Sequence, residues 1–169
     1  PEANFLFAQK IDRKIYSGNK LNFLILTFYD RLFNEHQRGK NMDLKIKEKI
    51  AIVTGAGNGL GRAIALGLAA EGAKVAVADL KKEDAEKVAG EIKAAGNDSF
   101  ALSGDATNPD DVDLMVQKTL RTYDTIDILV NNVGGGFDTG FVVKTPIDLW
   151  DKTIELNLKS SFLCCRAVA

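Results

Sequence analysis

The chain has 169 residues, 46% hydrophobic and 27% charged, enough for one domain with a real core and ordinary for a protein in water. A formal net charge of −1 gives no basis for binding nucleic acid or an anionic membrane surface. The two cysteines, Cys164 and Cys165, are adjacent and the only histidine is His36. That pattern excludes a disulfide framework and a zinc set, reads as two small apolar residues on a helix, and is expected of a cytosolic protein.

Residues 1–41 differ in composition from the rest of the chain. They hold seven of the thirteen aromatic residues and two of the nineteen alanines, and at Met42 the composition turns to Ala, Gly and Val. Two readings compete: a true N-terminal extension, a helix packing its Phe and Leu residues on the domain or a partner, or, the favoured one, upstream sequence read through before a natural start at Met42, poorly ordered or only weakly helical around 21–34. The run Leu21-Asn22-Phe23-Leu24-Ile25-Leu26-Thr27-Phe28 is far shorter than the roughly 20 apolar residues that a membrane helix needs, and it lacks the arrangement of a signal peptide. The chain opens on Pro1, which points to a fragment or a processed product.

A first strand is expected over 47–53, its apolar part being Ile50-Ala51-Ile52-Val53. It leads into Thr54-Gly55-Ala56-Gly57-Asn58-Gly59-Leu60-Gly61, and a small-residue helical pattern, 62–70, leads out. Strand, glycine turn and helix form the architecture that binds a nucleotide diphosphate. Glycines let the backbone bend and approach the ligand, and the helix start offers free N–H groups and the positive end of its dipole. The general spacing G-x-G-x-x-G fails here, because position 60 is leucine and position 62 arginine. What fits is T-G-x-x-x-G-x-G, with glycines at 55, 59 and 61. This wording resembles the short-chain dehydrogenase/reductase family, and it makes Gly55, Asn58, Gly59, Leu60 and Gly61 candidate cofactor contacts.

The helix stops at Glu71-Gly72, and Lys74-Val75-Ala76-Val77-Ala78-Asp79 reads as a second buried strand. Asp79 ends it, eighteen residues after Gly61. In dinucleotide sites an acid about 20 residues beyond the turn accepts hydrogen bonds from the adenosine ribose. A carboxylate there also repels a 2′-phosphate, so NAD is expected in preference to NADP. The competing reading is a solvated loop aspartate or a helix cap, and Lys81 and Lys82 nearby would soften the preference. Residues 82–95 form an amphipathic helix with Ala85, Val88, Ala89, Ile92 and Ala95 on one stripe.

The third strand is expected over 99–103, ending at Gly104-Asp105. The resemblance implies that Asp105 and Ala106 lie against the adenine; alone, Asp105 reads equally well as a turn residue. Asn108-Pro109-Asp110-Asp111 is a helix start, and Val112, Met115, Val116, Thr119, Leu120 and Tyr123 give that helix its core stripe. A fourth strand, 126–130, runs into Asn131-Asn132-Val133-Gly134, where the family has N-N-A-G. The resemblance implies that Asn131 ties strand to strand while the Val133-Gly134 backbone faces the cofactor. Gly134-Gly135-Gly136 reads as a mobile loop.

A long last helix starts at Thr145-Pro146, with Ile147, Trp150, Ile154, Leu158, Phe162 and Cys165 on one face. Asn157 is a poor helix former inside it. With Ser161 it matches the family's N-x-x-x-S, which implies a catalytic asparagine.

The resemblance covers 44–169. It implies an α/β fold: a partial Rossmann-type, doubly wound parallel sheet of strand order 3-2-1-4 within 42–169, truncated before the later strands. It also implies an oxidoreductase that interconverts an alcohol and a ketone by hydride transfer with NAD, acting as a homo-oligomer. The family's Ser and Tyr-x-x-x-Lys lie beyond this stretch. Tyr123 is followed four positions on by Asp127 and Tyr29 by Phe33; the only Y-x-x-x-K, Tyr16 to Lys20, precedes the glycine turn and reads as chance. The chain alone is therefore expected to be inactive. A non-catalytic dinucleotide-binding module remains the alternative.

Overall fold

The computed structural model describes residues 43–136 and 142–169; Leu44–Ala169 forms a unit by itself. The segment 1–41, with Tyr16, Lys20 and the apolar run at 21–28, lies outside the described residues.

Short runs of Val, Ile and Ala make strands that are covered on both faces, as parallel sheets require. Strand β1 (Ile50–Thr54) is buried at every position. It is followed by α1 (Gly59–Ala70), β2 (Lys74–Asp79), α2 (Lys82–Ala94), β3 (Ser99–Ser103), α3 (Pro109–Tyr123) and β4 (Ile128–Val130). A 3₁₀ turn (Val142–Lys144), α4 (Ile147–Ile154), a π turn (Glu155–Lys159) and α5 (Ser160–Val168) complete the order. The four strands are parallel in the order β3-β2-β1-β4. Ile52 lies between Ala76 of β2 and Leu129 of β4, and Ala76 in turn pairs with Phe100.

Because side chains alternate along a strand, neighbouring residues feed opposite cores. Ile52, Ala76, Ala78 and Leu102 pack with Val112, Met115 and Val116 of α3 and Leu163 and Cys164 of α5. Val53, Val75 and Val77 pack with Ala65 and Ala69 of α1 and Val88 and Ile92 of α2. The doubly wound sheet expected from the sequence is thus present, with helices on both faces. The chain reverses its direction of winding between β1 and β4. Open α/β sheets place their ligand crevices at such a point, beyond the carboxyl ends of the strands.

Some expectations shift. β1 begins at Ile50 and β4 at Ile128, because Lys49–Asp127 and the bond from Ile50 N–H to Asp127 Oδ2 (2.9 Å) occupy the sheet's amino edge. Ala95 is exposed and caps α2, and Leu120 is 41% exposed, so neither belongs to the core. The last helix buries Ser160, Leu163 and Cys164. Its apolar stripe, including Trp150 (52% exposed) and Phe162 (59%), faces outward. Among the described residues no helix is long and apolar enough to cross a membrane, and no group of three acidic, histidine or cysteine residues could hold a metal.

Candidate cofactor site

The carboxyl ends of β1 and β4 are stitched together by side chains that the sequence alone did not single out. Thr54 Oγ donates to Val130 O (3.2 Å) and accepts from the N–H groups of Asn132 (3.1 Å) and Val133 (3.3 Å). The Asn132 amide donates to the carbonyls of Thr54 and Gly55, both at 3.0 Å. The strand tie expected of Asn131 therefore belongs to Asn132. Asn131 donates instead to Cys165 Sγ on α5 (3.2 Å). The two asparagines follow β4 directly, and only Asn132 reaches back to β1.

This stitching holds open a glycine cradle. Gly55 and Gly59 have left-handed φ of +60° and +53°, which residues with a Cβ rarely adopt. A Cβ at Gly61 would collide with the Gly55 carbonyl and the Asn132 amide, so the turn closes on the helix only if position 61 is glycine. Helix α1 begins without assistance: its N-cap, Asn58, makes no side-chain capping bond, and no acid stands in its first turn. Helix α3 is the contrast. Asn108 Oδ1 accepts from Asp110 N–H (2.9 Å), with Pro109 and two acids behind it. Leaving a helix start uncapped leaves its N–H groups and dipole for an external anion. A diphosphate fits this cradle on the structure's own geometry.

Asp79 stands where β2 ends. Its Oδ2 accepts from Gly57 N–H (2.8 Å) and its Oδ1 from Lys81 N–H (3.0 Å). An ionised carboxylate has about four acceptor positions, so two backbone bonds leave room for ribose hydroxyls. Asp105 is more committed: Oδ1 accepts from both the N–H and the hydroxyl of Thr107, each at 2.8 Å. Its own N–H donates to Asp111 Oδ2 (2.8 Å). Its carboxylate shapes the turn before α3, while Ala106 is buried beside it. Gly55, Asp79, Leu80, Asp105, Val133 and Leu156 line one cleft of about 80 Å³, smaller than the roughly 300–1,000 Å³ typical of small-molecule pockets.

Asn157 sits in the π turn rather than in regular helix. Its Nδ2 donates to Gly135 O (2.8 Å) and Thr153 O (2.9 Å), and its Oδ1 accepts from Gly135 N–H (3.0 Å). It thus clamps the backbone after β4 through both the N–H and the C=O of Gly135, and a Cβ at Gly134 would lie 2.7 Å from Asn157 Oδ1. The Gly134–Gly135 stretch, expected to be mobile, is held in place at Gly135. π turns inside helices occur often at functional sites.

The described tyrosine is at the wrong end of the sheet for this cleft. The Tyr123 ring meets Phe100 edge-on (5.4 Å) and lies under Lys74, the first residue of β2. Burial, then the Asp98 carboxylate hydrogen-bonded to it, push its hydroxyl well above the usual tyrosine range. A proton donor near neutral pH needs the opposite shift.

The chain matches the short chain dehydrogenase family over residues 49–169. It belongs to that family. Among short-chain dehydrogenases it is 40% identical over 122 residues to a 3-oxoacyl-(acyl-carrier-protein) reductase of Synechocystis sp., covering 72% of this chain and 49% of that one. With the 3-oxoacyl-(acyl-carrier-protein) reductase FabG of Staphylococcus aureus it shares 44% over 117 residues, or 69% of this chain and 47% of the relative. The crystal structure of a hydroxysteroid dehydrogenase from Escherichia coli superposes with a TM-score of 0.70 at 35% identity, covering 75% of this chain and 53% of that one. The chain spans about half the length of the curated relatives it matches. The short chain dehydrogenases are a family of oxidoreductases. Thr54, Gly57 and Asn132 are the site residues that sequence reasoning missed. For Asn132 and Thr54 the signal was present in the wording T-G and N-N; for Gly57 there was none, because its partner is 22 residues away.

Proposed function

We propose that the complete protein is an NAD-dependent dehydrogenase/reductase that interconverts a small alcohol and its ketone, and that this chain supplies the cofactor-binding part. One observation carries the cofactor choice: the Asp79 carboxylate is anchored at the end of β2 beside the glycine turn. From there it accepts from the ribose hydroxyls and repels a 2′-phosphate. The bound nicotinamide supplies or takes the hydride. Gly55, Asn58, Gly59, Leu60 and Gly61 receive the diphosphate, Asp105 and Ala106 border the adenine, and the Asn131–Gly134 segment borders the remainder. Asn157 serves the chemistry by holding the Gly134–Gly135 backbone, since an amide has no proton to exchange near neutral pH. The carbonyl–alcohol substrate class agrees with the names of the relatives, a 3-oxoacyl reductase and a hydroxysteroid dehydrogenase. The outward apolar face of α4 and α5 supports a homo-oligomer, and the two free cysteines a cytosolic setting.

Asp79→Ser in the complete protein is expected to move kcat/KM from NAD toward NADP. A native protein that already prefers NADP overturns the assignment. Residues 1–169 alone should oxidise no NADH with any ketone, followed at the nicotinamide absorbance on folded protein. General acid catalysis is typically worth about 10²–10⁴-fold, and Tyr123 cannot provide it. Turnover by this chain would place the proton donor among its own residues. Dinucleotide binding without turnover by the complete protein would favour a binding module instead.

A further inference from the structure

Gly57 is an unassigned position in T-G-x-x-x-G-x-G, and the structure shows why it is glycine. A Cβ there would lie 2.8 Å from both Cγ and Oδ2 of Asp79 and 2.6 Å from Cβ of Asp84, in the first turn of α2. Its N–H is the one that donates to Asp79 Oδ2 (2.8 Å). Gly57 has no left-handed φ, unlike Gly55 and Gly59, so backbone conformation does not demand glycine there. The demand is spatial, and it comes from one carboxylate and the helix behind it.

We infer that Gly57 is a positioning residue for cofactor choice: by lacking a Cβ it lets the Asp79 carboxylate lodge against the turn, where it meets the ribose. The inference rests on the ribose role proposed for Asp79. Of the two groups a methyl would strike, Asp84 is fixed by its own helix, whereas the Asp79 carboxylate is the free end of a side chain. The closer contact, Asp84 Cβ at 2.6 Å, forces the turn itself to shift off α2, and the Asp79 carboxylate gives way with it. It then loses the Gly57 bond and swings away from the turn, taking with it both the ribose acceptor and the negative charge that opposes a 2′-phosphate. Position 57 thereby acts on NAD and NADP unequally, although it bears no discriminating group itself.

The test is a double-mutant cycle on the full-length protein, with Gly57→Ala, Asp79→Asn and the pair, each titrated calorimetrically with NAD and with NADP. A hydrogen bond to a charged group is worth enough that NAD binding to Gly57→Ala should weaken about tenfold. NADP binding should change less, so the preference for NAD over NADP shrinks. In the Asp79→Asn background, adding Gly57→Ala should leave that preference where it was. Equal weakening of both cofactors by Gly57→Ala overturns the inference, as does a shift in preference that persists without the Asp79 charge. If Asp79→Asn itself leaves the preference unchanged, the reading of Asp79 has failed and the inference falls with it; if only Gly57→Ala does, the inference alone has failed. Should Gly57→Ala not fold by circular dichroism, amide exchange decides. The Gly57 N–H should exchange slowly in the native protein and faster in Asp79→Ala, and equal rates overturn the proposal.

Discussion

Asp127 makes at the amino edge of the sheet the kind of bond that Asp79 makes at the carboxyl edge. Its Oδ2 accepts from Ile50 N–H (2.9 Å) and its Oδ1 from Lys49 Nζ (2.7 Å). The backbone bond from Ile50, then the lysine, hold its pKa below the ordinary carboxylate value. A pKa lowered on folding gives stability that is complete above the unfolded value, about 3.9, and is lost as the pH falls through the lower folded value. Asp127→Asn should therefore flatten the acid limb of stability. Urea midpoints measured from neutral pH down into the acid range would show the native curve falling more steeply than that of the variant. Parallel curves would mean that the bond contributes nothing beyond what an amide supplies. Asp79 likewise accepts from backbone N–H groups, those of Gly57 and Lys81, at the carboxyl end of the sheet. Nothing in the residue type distinguishes the two; their ends of the sheet do.

The helices divide in the same way. Helix α3 satisfies its own first turn through Asn108, Pro109 and the following acids, whereas α1 leaves its first turn open above the glycine cradle. Asn108→Ala should cost about 1 kcal/mol, the usual worth of an N-cap. Asn58→Ala should cost much less, because its side chain makes no capping bond. Denaturant unfolding of the two variants checks this, and a cost for Asn58→Ala equal to that for Asn108→Ala would mean that α1 is capped after all. The last helix shows how one residue changes an element. Asn157 turns its side chain onto Thr153 O and Gly135, and the helix accommodates a π turn there. The apolar stripe from Ile147 to Phe162 then faces away from the sheet, and the core is completed by Leu163 and Cys164.

At the scale of the molecule, the sheet of the described residues has β3 at one edge and β4 at the other. β4 is only half-buried, with β1 on one side and the Asn131–Cys165 contact holding its end to α5. Every strand and both cores of the described residues fall within Leu44–Ala169. Because the composition changes at Met42, deleting residues 1–41 should leave amide protection over 47–134 unchanged. The measurement is hydrogen exchange on the two forms side by side, and a broad loss of protection on deletion would make the extension part of the fold. The same comparison separates an appendage from a structural segment, a distinction that composition alone left open.

The sequence by itself determined what neighbours along the chain decide. The apolar runs of β1 and β2, the glycines at 55, 59 and 61, the stop at Gly72 and the capped start of α3 are local chemistry, and the residues that carry it lie within a turn of one another. The order 3-2-1-4 was legible through the family resemblance those motifs carry. Tertiary structure decided what depends on direction and register. It gave the strand tie to Asn132 rather than its neighbour Asn131: just beyond β4 only Asn132 reaches Thr54, while Asn131 turns to Cys165. It set which side of the last helix is covered. It also gave Gly57 a purpose, because the carboxylate that needs its missing Cβ arrives from another strand. A side chain's type is written in the chain; what lies across from it is fixed only when the strands pair.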